Sequence, residues 1–453
     1  MSAVPSNITA TEKVVPAASE AAGIAVPAVD PGGQTPTGGH RGTPMGSKSH
    51  TDGAWSERPV QTRSERYTSA DVADFDEPSG HEVDWKLTPI KLVSDLISGE
   101  LDGSVLESAL TVAEPVDGFT LSWVSRTDER IASAGLPEDK ASANAWSQFE
   151  KALAIDVTGE EPTSEYIVRR SGLGSAPRAA HTVITAAANS RGVVILENTG
   201  DARISENVEI VVKEGAHLTV VTVQEWNDGA SHLASHFAQV GRDATLRHIV
   251  VSLGGSIVRV NPSIHLSSPG SATEAYGLYF ADAGQHLEQR VYIDHEAENS
   301  RSRVKYKGAL QGEGAHSVWV GDVLIRQSAD GTDSYEENRN LVLSEGTRAD
   351  SIPNLEIETG NILGAGHASS TGRFDDEQLF YLQSRGISEE EARRLVVRGF
   401  LAEIIQQIGA PAVEERLSRA VEAELTLTPG SVSAFTPDAA PDAAPTPAPE
   451  ETA

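Results

Sequence analysis

The sequence predicts a mainly β protein: a parallel β-helix core flanked by a small N-terminal α/β segment and a C-terminal helical domain. Three observations carry this. Between Tyr166 and about Glu358, β-branched and apolar residues recur with period two, in runs such as Val193–Leu196, Val208–Val212, Leu218–Val223, Ile249–Leu253 and Val318–Ile325. Turn clusters at Gly215-Ala216, Asp243-Ala244, Ser271-Ala272 and Asn299-Ser300 recur about every 28 residues, within the range of roughly 20–50 that marks stacked coils. No helix-length pattern separates the runs, so βαβ units are not expected; each coil would bury its neighbour's apolar face. A β-sandwich is the alternative arrangement of the same strands.

Taken in order, residues 1–82 are rich in Ala, Pro, Gly, Ser and Thr. Ordering a residue costs roughly 1–2 kcal/mol of backbone entropy, and this stretch has little apolar surface to offset it, so it reads as a disordered tail. Arg58, Arg63, Arg66 and Tyr67 form a basic patch within it, most simply a solvated one and alternatively a short docking motif. Residues 83–165 read as the α/β segment. Ile90, Val93, Leu96 and Ile97 recur at helical spacing before Gly99, Phe119 to Val124 suits a strand, and a second helix is expected over Asn144 to Ile155. The β-helix is expected over 166–366 and the helical domain over 367–425. Asp375 with Gln378, and Ser388 with Glu391, have capping-box spacing. Leu395, Phe400, Leu401, Ile404, Ile405 and Ile408 make an apolar stripe that Gly409 and Pro411 end, and a third helix is expected from Ala412 to about Leu425. Residues 426–453 repeat Pro, Ala and Asp and read as a second disordered tail.

Composition narrows the function. A net charge of −30 repels a phosphate backbone, so nucleic acid is not an expected partner. No apolar run reaches the roughly 18 residues of a membrane span, and no charged n-region leads into an apolar h-region, so the expectation is a cytoplasmic protein without a membrane partner. The 453 residues include no cysteine, which removes disulfides, thiol redox chemistry and thiolate ligation by this sequence. GxxxxGK[ST] and GxSxG motifs are absent, and Gly172-Leu173-Gly174 lacks the third glycine of a dinucleotide fingerprint.

The stretch from Lys307 to Ile387 carries the most specific pattern. It contains KGAL (307–310), NRNLVLS (338–344), PNLEI (353–357), a lone histidine in GAGHASSTG, and DEQLFYLQSRGI. In order and spacing these blocks resemble the SufB/SufD family of iron–sulfur cluster assembly proteins, and within it the SufD branch, over roughly Tyr166 to Leu425. The resemblance implies a right-handed parallel β-helix core that pairs with a SufB-like subunit, and a C-terminal helical domain that docks a SufC-like ATPase. It points to His367 as the cluster-interface and metal candidate, since an imidazole can bind iron and move protons at cellular pH. Here Ala368 stands where the family has glycine, and Gly360 to Gly366 lacks the acidic, Cys-containing stretch often found there. Phe380, Tyr381, Phe400 and Ile404 are the candidate ATPase-docking residues, with local core as the competing role for each. Fe–S clusters are held mainly by Cys thiolates. The expectation is therefore a non-catalytic subunit that binds no cluster stably alone and shares a transient one with its partner.

Other patterns have plainer roles. His232 and His236 are four apart, a metal-binding spacing on a helix, but lie in strand-like sequence; His217, His248 and His265 are expected on solvent faces of strands. Arg301, Arg303, Lys305 and Lys307 alternate, as do Asp294, Glu296 and Glu298, which suggests cross-strand ion pairs between the two rows. Taken alone, the basic row would suit a β-helix carbohydrate lyase or hydrolase acting on an anionic polysaccharide, which is the alternative function.

Overall fold

A coil closes only where the backbone can turn sharply, and the residues at the turns show why. Gly215, Asp243 and Asn299 all adopt left-handed backbone, with φ of 67°, 51° and 57°. Glycine, Asp and Asn are the residues that tolerate that region at least cost. The computed structural model describes residues 64–112, 116–160, 165–373 and 376–426. Most of the two expected disordered tails, together with Arg58, Arg63 and the Asp375 cap, lies outside the described residues.

In chain order the first strands are β1 (Leu110–Val112), β2 (Phe119–Ser125), β3 (Lys151–Val157), β4 (Glu165–Ser171), β5 (Arg178–Ala186) and β6 (Arg191–Gly200). They continue as β7 (Arg203–Val212), β8 (His217–Trp226), β9 (Ser231–Val240), β10 (Thr245–Ser252), β11 (Ile257–Leu266) and β12 (Ala272–Ala281). The last are β13 (His286–His295), β14 (Arg301–Leu310), β15 (His316–Ile325), β16 (Asp333–Val342), β17 (Arg348–Ile357) and β18 (Gly364–Arg373). They form two nine-stranded sheets, one in the order β1-β4-β6-β8-β10-β12-β14-β16-β18 and the other β17-β15-β13-β11-β9-β7-β5-β3-β2. From β3 onward successive strands alternate between the sheets and pair in parallel; among the described residues only β1 with β4 and β2 with β3 are antiparallel. Each coil is therefore two strands, and the fold is a parallel β-solenoid. One rung advances 28 residues from Gln224 to Ser252 and 32 from Ser302 to Ser334, because the later turns are longer.

The solenoid runs past both expected edges. Residues expected as a second helix to Ile155 divide into α2 (Lys140–Gln148) and strand β3. Asp139 caps α2 reciprocally with Ser142, Phe149 leaves helical backbone, and Leu153, Ile155 and Val157 then point into the core. The helical spacing of Trp146, Phe149 and Leu153 spans that junction. At the other end His367 lies on β18 and not in a loop, so residue 366 falls within the last strand.

Helical layers cover the outer faces. α1 (Ile90–Ser98) buries Val93, Leu96 and Ile97 with Trp85, Leu233 and Ile257. On the opposite sheet lie α3 (Asp376–Ser384), α4 (Glu389–Ile405) and α5 (Pro411–Thr426). Ser388 caps α4 by accepting from the Glu391 amide at 3.3 Å. Val397, Leu401, Ile404, Ile405 and Ile408 pack on the sheet's Ile195, Val221, Ile249, Leu278 and Phe280. Each fully buried side chain of this kind contributes about 1.5–3 kcal/mol. Leu395, expected in the stripe, is instead 41% exposed. Arg416 anchors α5 to Glu197 at 2.7 Å and also pairs with Glu225.

Residues 64–82, expected in the disordered tail, pack on the first helical side. Arg66 reaches Glu138 at 3.5 Å and Asp322 at 3.3 Å and stands 4.7 Å above the Tyr292 ring. One guanidinium satisfying two carboxylates and a ring offsets ordering that the apolar content of the segment could not.

Candidate functional site

The distinctive sequence blocks acquire physical reasons in the last coils. In KGAL, Lys307 points outward, donates to the Phe400 carbonyl at 3.0 Å, pairs with Glu403 and lies 4.6 Å from the Phe400 ring centroid. Gly308 points inward and leaves room for Tyr279, its register partner: a Cβ there would lie 1.7 Å from the ring. In NRNLVLS, Asn338 and Asn340 point inward. The Tyr279 hydroxyl donates to Asn340 Oδ1 at 2.5 Å and accepts from Asn338 Nδ2 at 2.9 Å. Ser351 donates to Asn338 Oδ1 at 2.7 Å and Ser369 to Ser351 at 2.8 Å, so the polar network reaches the end of the solenoid.

His367 stands at that end. It is the rung partner of Glu336 on β16, its side chain is 46% exposed, and its Nδ1 lies 3.7 Å from Glu336 Oε1. Glu336 is buried, and neither carboxylate oxygen has a hydrogen-bond partner. Burial, then the charge of Asp322, pushes its pKa up to about 8. Gly321 makes room for this carboxyl group, since a Cβ there would meet Glu336 Oε2 at 2.2 Å. An accessible imidazole above a buried carboxyl group without partners can accept a proton, hold a cation or orient a ligand brought by another chain. Around it the last coil is uncovered among the described residues: Tyr335, Ile352, Ile357 and Leu363 are 43%, 41%, 44% and 81% exposed.

The sequence pattern points to His367 but not to its rung partner Glu336. Ser334, Glu336, Asn338 and Asn340 alternate like a solvent face, yet this polar row points inward. Period two fixes that alternate residues share a side but not which side is the interior.

The docking candidates separate. Phe380 and Tyr381 are 72% and 55% exposed on α3. Ile404 is fully buried against the sheet, and Phe400 is half-buried beneath Lys307, so Ile404 is core and not a docking surface.

The remaining histidines are mostly internal. His232 and His236 lie on β9, where four residues span about 13 Å, so they cannot share an ion as they would on a helix. His232 meets Glu206 at 2.7 Å, and His236 meets His248 at 2.9 Å. His248 is buried, contrary to expectation, while His217 is exposed. His265 is half-buried, with Nδ1 2.8 Å from Glu296 and 3.7 Å from Asp294, but Arg326 already holds both Asp294 oxygens at 2.8 and 2.7 Å. The basic row does not pair with Asp294, Glu296 and Glu298. Arg303 pairs with Asp333 at 2.5 Å, and Lys305 with Glu337 at 3.4 Å and Glu403 at 2.5 Å. Parallel stacking sets each strand beside the next coil, not beside the strand preceding it in sequence. These cations carry carboxylate partners on the next coil and on α4.

Comparison with known proteins agrees with this architecture. The SUF system FeS cluster assembly, SufBD core domain matches residues 169–400. An iron-sulfur cluster assembly SufBD family protein of Mycobacterium tuberculosis is 46% identical over 377 residues, covering 82% of this chain and 94% of the relative. One from Mycobacterium leprae is 46% identical over 374 residues, covering 80% and 94%. A second M. leprae protein of that name is 29% identical over 225 residues, half of this chain and 26% of the relative. The solenoid, its helical C-terminus and these relatives together establish that the chain belongs to the SufBD family of iron–sulfur cluster assembly proteins.

Proposed function

We propose that this chain is the SufD-type, non-catalytic subunit of a cytoplasmic assembly complex. It pairs through the open end of its solenoid with a cysteine-bearing, SufB-like subunit. The observation that carries the reading is that end: edge strands β17 and β18, exposed apolar side chains, and His367 above the unpartnered Glu336, in a sequence with no thiol of its own. Edge strands offer unpaired backbone groups to a second chain, and thiolates from that chain would supply the cluster ligands missing here. His367 then contributes an imidazole to a transient cluster shared across the interface, and the isolated chain holds none stably.

The ATPase-docking role passes to Phe380 and Tyr381, the candidates that are exposed. Co-expression with SufB-like and SufC-like partners tests both roles. His367→Ala should lower cluster content of the purified complex while leaving its subunits associated; unchanged cluster content overturns the role of His367. Phe380→Asp with Tyr381→Asp should release the ATPase without altering the melting of this chain; retention of the ATPase overturns the docking assignment.

A further inference from the structure

A second pair of histidines, on the two strands next to edge strand β17 in its sheet, has the construction of a metal site. His286 and His316 begin β13 and β15 and are rung partners. Their Nδ1 atoms face each other at 3.0 Å. The other nitrogen of each ring is committed. His286 Nε2 is 3.0 Å from Glu288 Oε2, and His316 Nε2 is 2.7 Å from Asp350 Oδ2. An ionised carboxylate only accepts hydrogen bonds, so both Nε2 atoms carry the hydrogen. That leaves the two Nδ1 atoms facing each other at 3.0 Å, an arrangement that one shared cation satisfies.

We propose that His286 and His316 bind a first-row divalent transition-metal ion, of the Fe²⁺, Co²⁺ or Zn²⁺ class, through their two Nδ1 atoms. Two nitrogens about 2.1 Å from one ion stand about 3.0 Å apart at the right angle of octahedral coordination and about 3.4 Å apart at the tetrahedral angle, so the observed 3.0 Å lies close to both. The ring centroids are 4.8 Å apart with planes inclined 68°, closer than two imidazoles meeting head-on across that gap, so the lone pairs meet obliquely and not along a straight N–H···N line. A carboxylate on the far nitrogen of each ring is the outer shell that fixes the tautomer of metal-binding histidines. Thr88 donates to the same Glu288 oxygen and Arg290 pairs with the other, and Arg348 holds Asp350 at 2.7 Å, so the rings are oriented before any ion arrives. Imidazole nitrogens with remaining positions open select a borderline ion over Mg²⁺ or Ca²⁺. The site is independent of the assembly reading above.

The test is titration of the metal-free full-length chain with Co²⁺ alone and Zn²⁺ alone, followed by calorimetry and by ¹⁵N NMR of the histidine rings. Wild type should bind one equivalent more than His286→Ala or His316→Ala, with the Nδ1 signals of both residues shifting on loading. Asp350→Asn, on an edge strand, should leave the ligands in place and weaken binding about tenfold. Equal stoichiometry and affinity in wild type and both alanine variants overturns the proposal. So does a wild-type ring pair that shows only a shared proton and no shift on loading. The half-exposed His316 keeps the test open if His286→Ala fails to fold.

Discussion

Replacing Glu336 by glutamine should remove a pH-dependent loss of stability. The wild-type side chain is 1% exposed, with neither oxygen hydrogen-bonded, and its pKa is raised to about 8 from an ordinary 4.5, first by burial and then by Asp322. Between those values the folded chain keeps a proton that the unfolded chain has released. The folded state binds more protons, so stability falls as pH rises, by about 1.4 kcal/mol per unit for one such group. From pH 5.5 to 7.5 the contribution of Glu336 should fall by about 2–3 kcal/mol. Glutamine has nearly the same shape and does not titrate. Urea denaturation of both proteins at pH 5.5, 6.5, 7.5 and 8.5 isolates the residue, because every other titrating group contributes to both. The variant should gain on wild type steadily between pH 5.5 and 8. Parallel stability–pH curves would show that the carboxyl group is solvated or partnered in solution, and the reasoning would fail.

Gly308→Ala should cost at least about 1–3 kcal/mol in the same assay, because the new methyl overlaps Tyr279, which is buried and tied to Asn338 and Asn340. An unchanged midpoint would mean that the ring has room to move. Ile404→Asp should destabilise by about 3–5 kcal/mol, since it removes a fully buried side chain and buries a charge, whereas Phe380→Asp should leave the melting temperature unchanged. Similar melting of the two variants would refute the division between core and exposed surface on the C-terminal helices. Lys307→Met should loosen α4 from β14 by about 1–2 kcal/mol through loss of the contacts with Glu403 and the Phe400 carbonyl, read as faster amide exchange in α4. Unchanged exchange would place the anchorage of α4 wholly in its apolar stripe.

Much was legible from local chemistry. Period-two runs and turn residues suited to left-handed backbone identify coils, since both follow from steric limits that act within a few residues. The helix at Ile90–Ser98 and the cap at Ser388 were readable for the same reason. The family pattern points to His367, while no local rule marks Glu336, because a polar row inside a solenoid has the same alternation as one outside. For Ile404 the sequence left docking and core open, because helical spacing identifies an apolar face without saying what lies against it; its full burial makes it core.

By itself the sequence determined the repeating coil, the terminal helices and the absence of thiols, all properties of composition and short-range spacing. Only the tertiary structure decided which side of each strand faces inward, that β18 ends the stack with His367 above Glu336, and that the basic row meets carboxylates of the next coil and α4. Those outcomes depend on register between strands about 28 to 32 residues apart, where a shift of one residue exchanges the two faces.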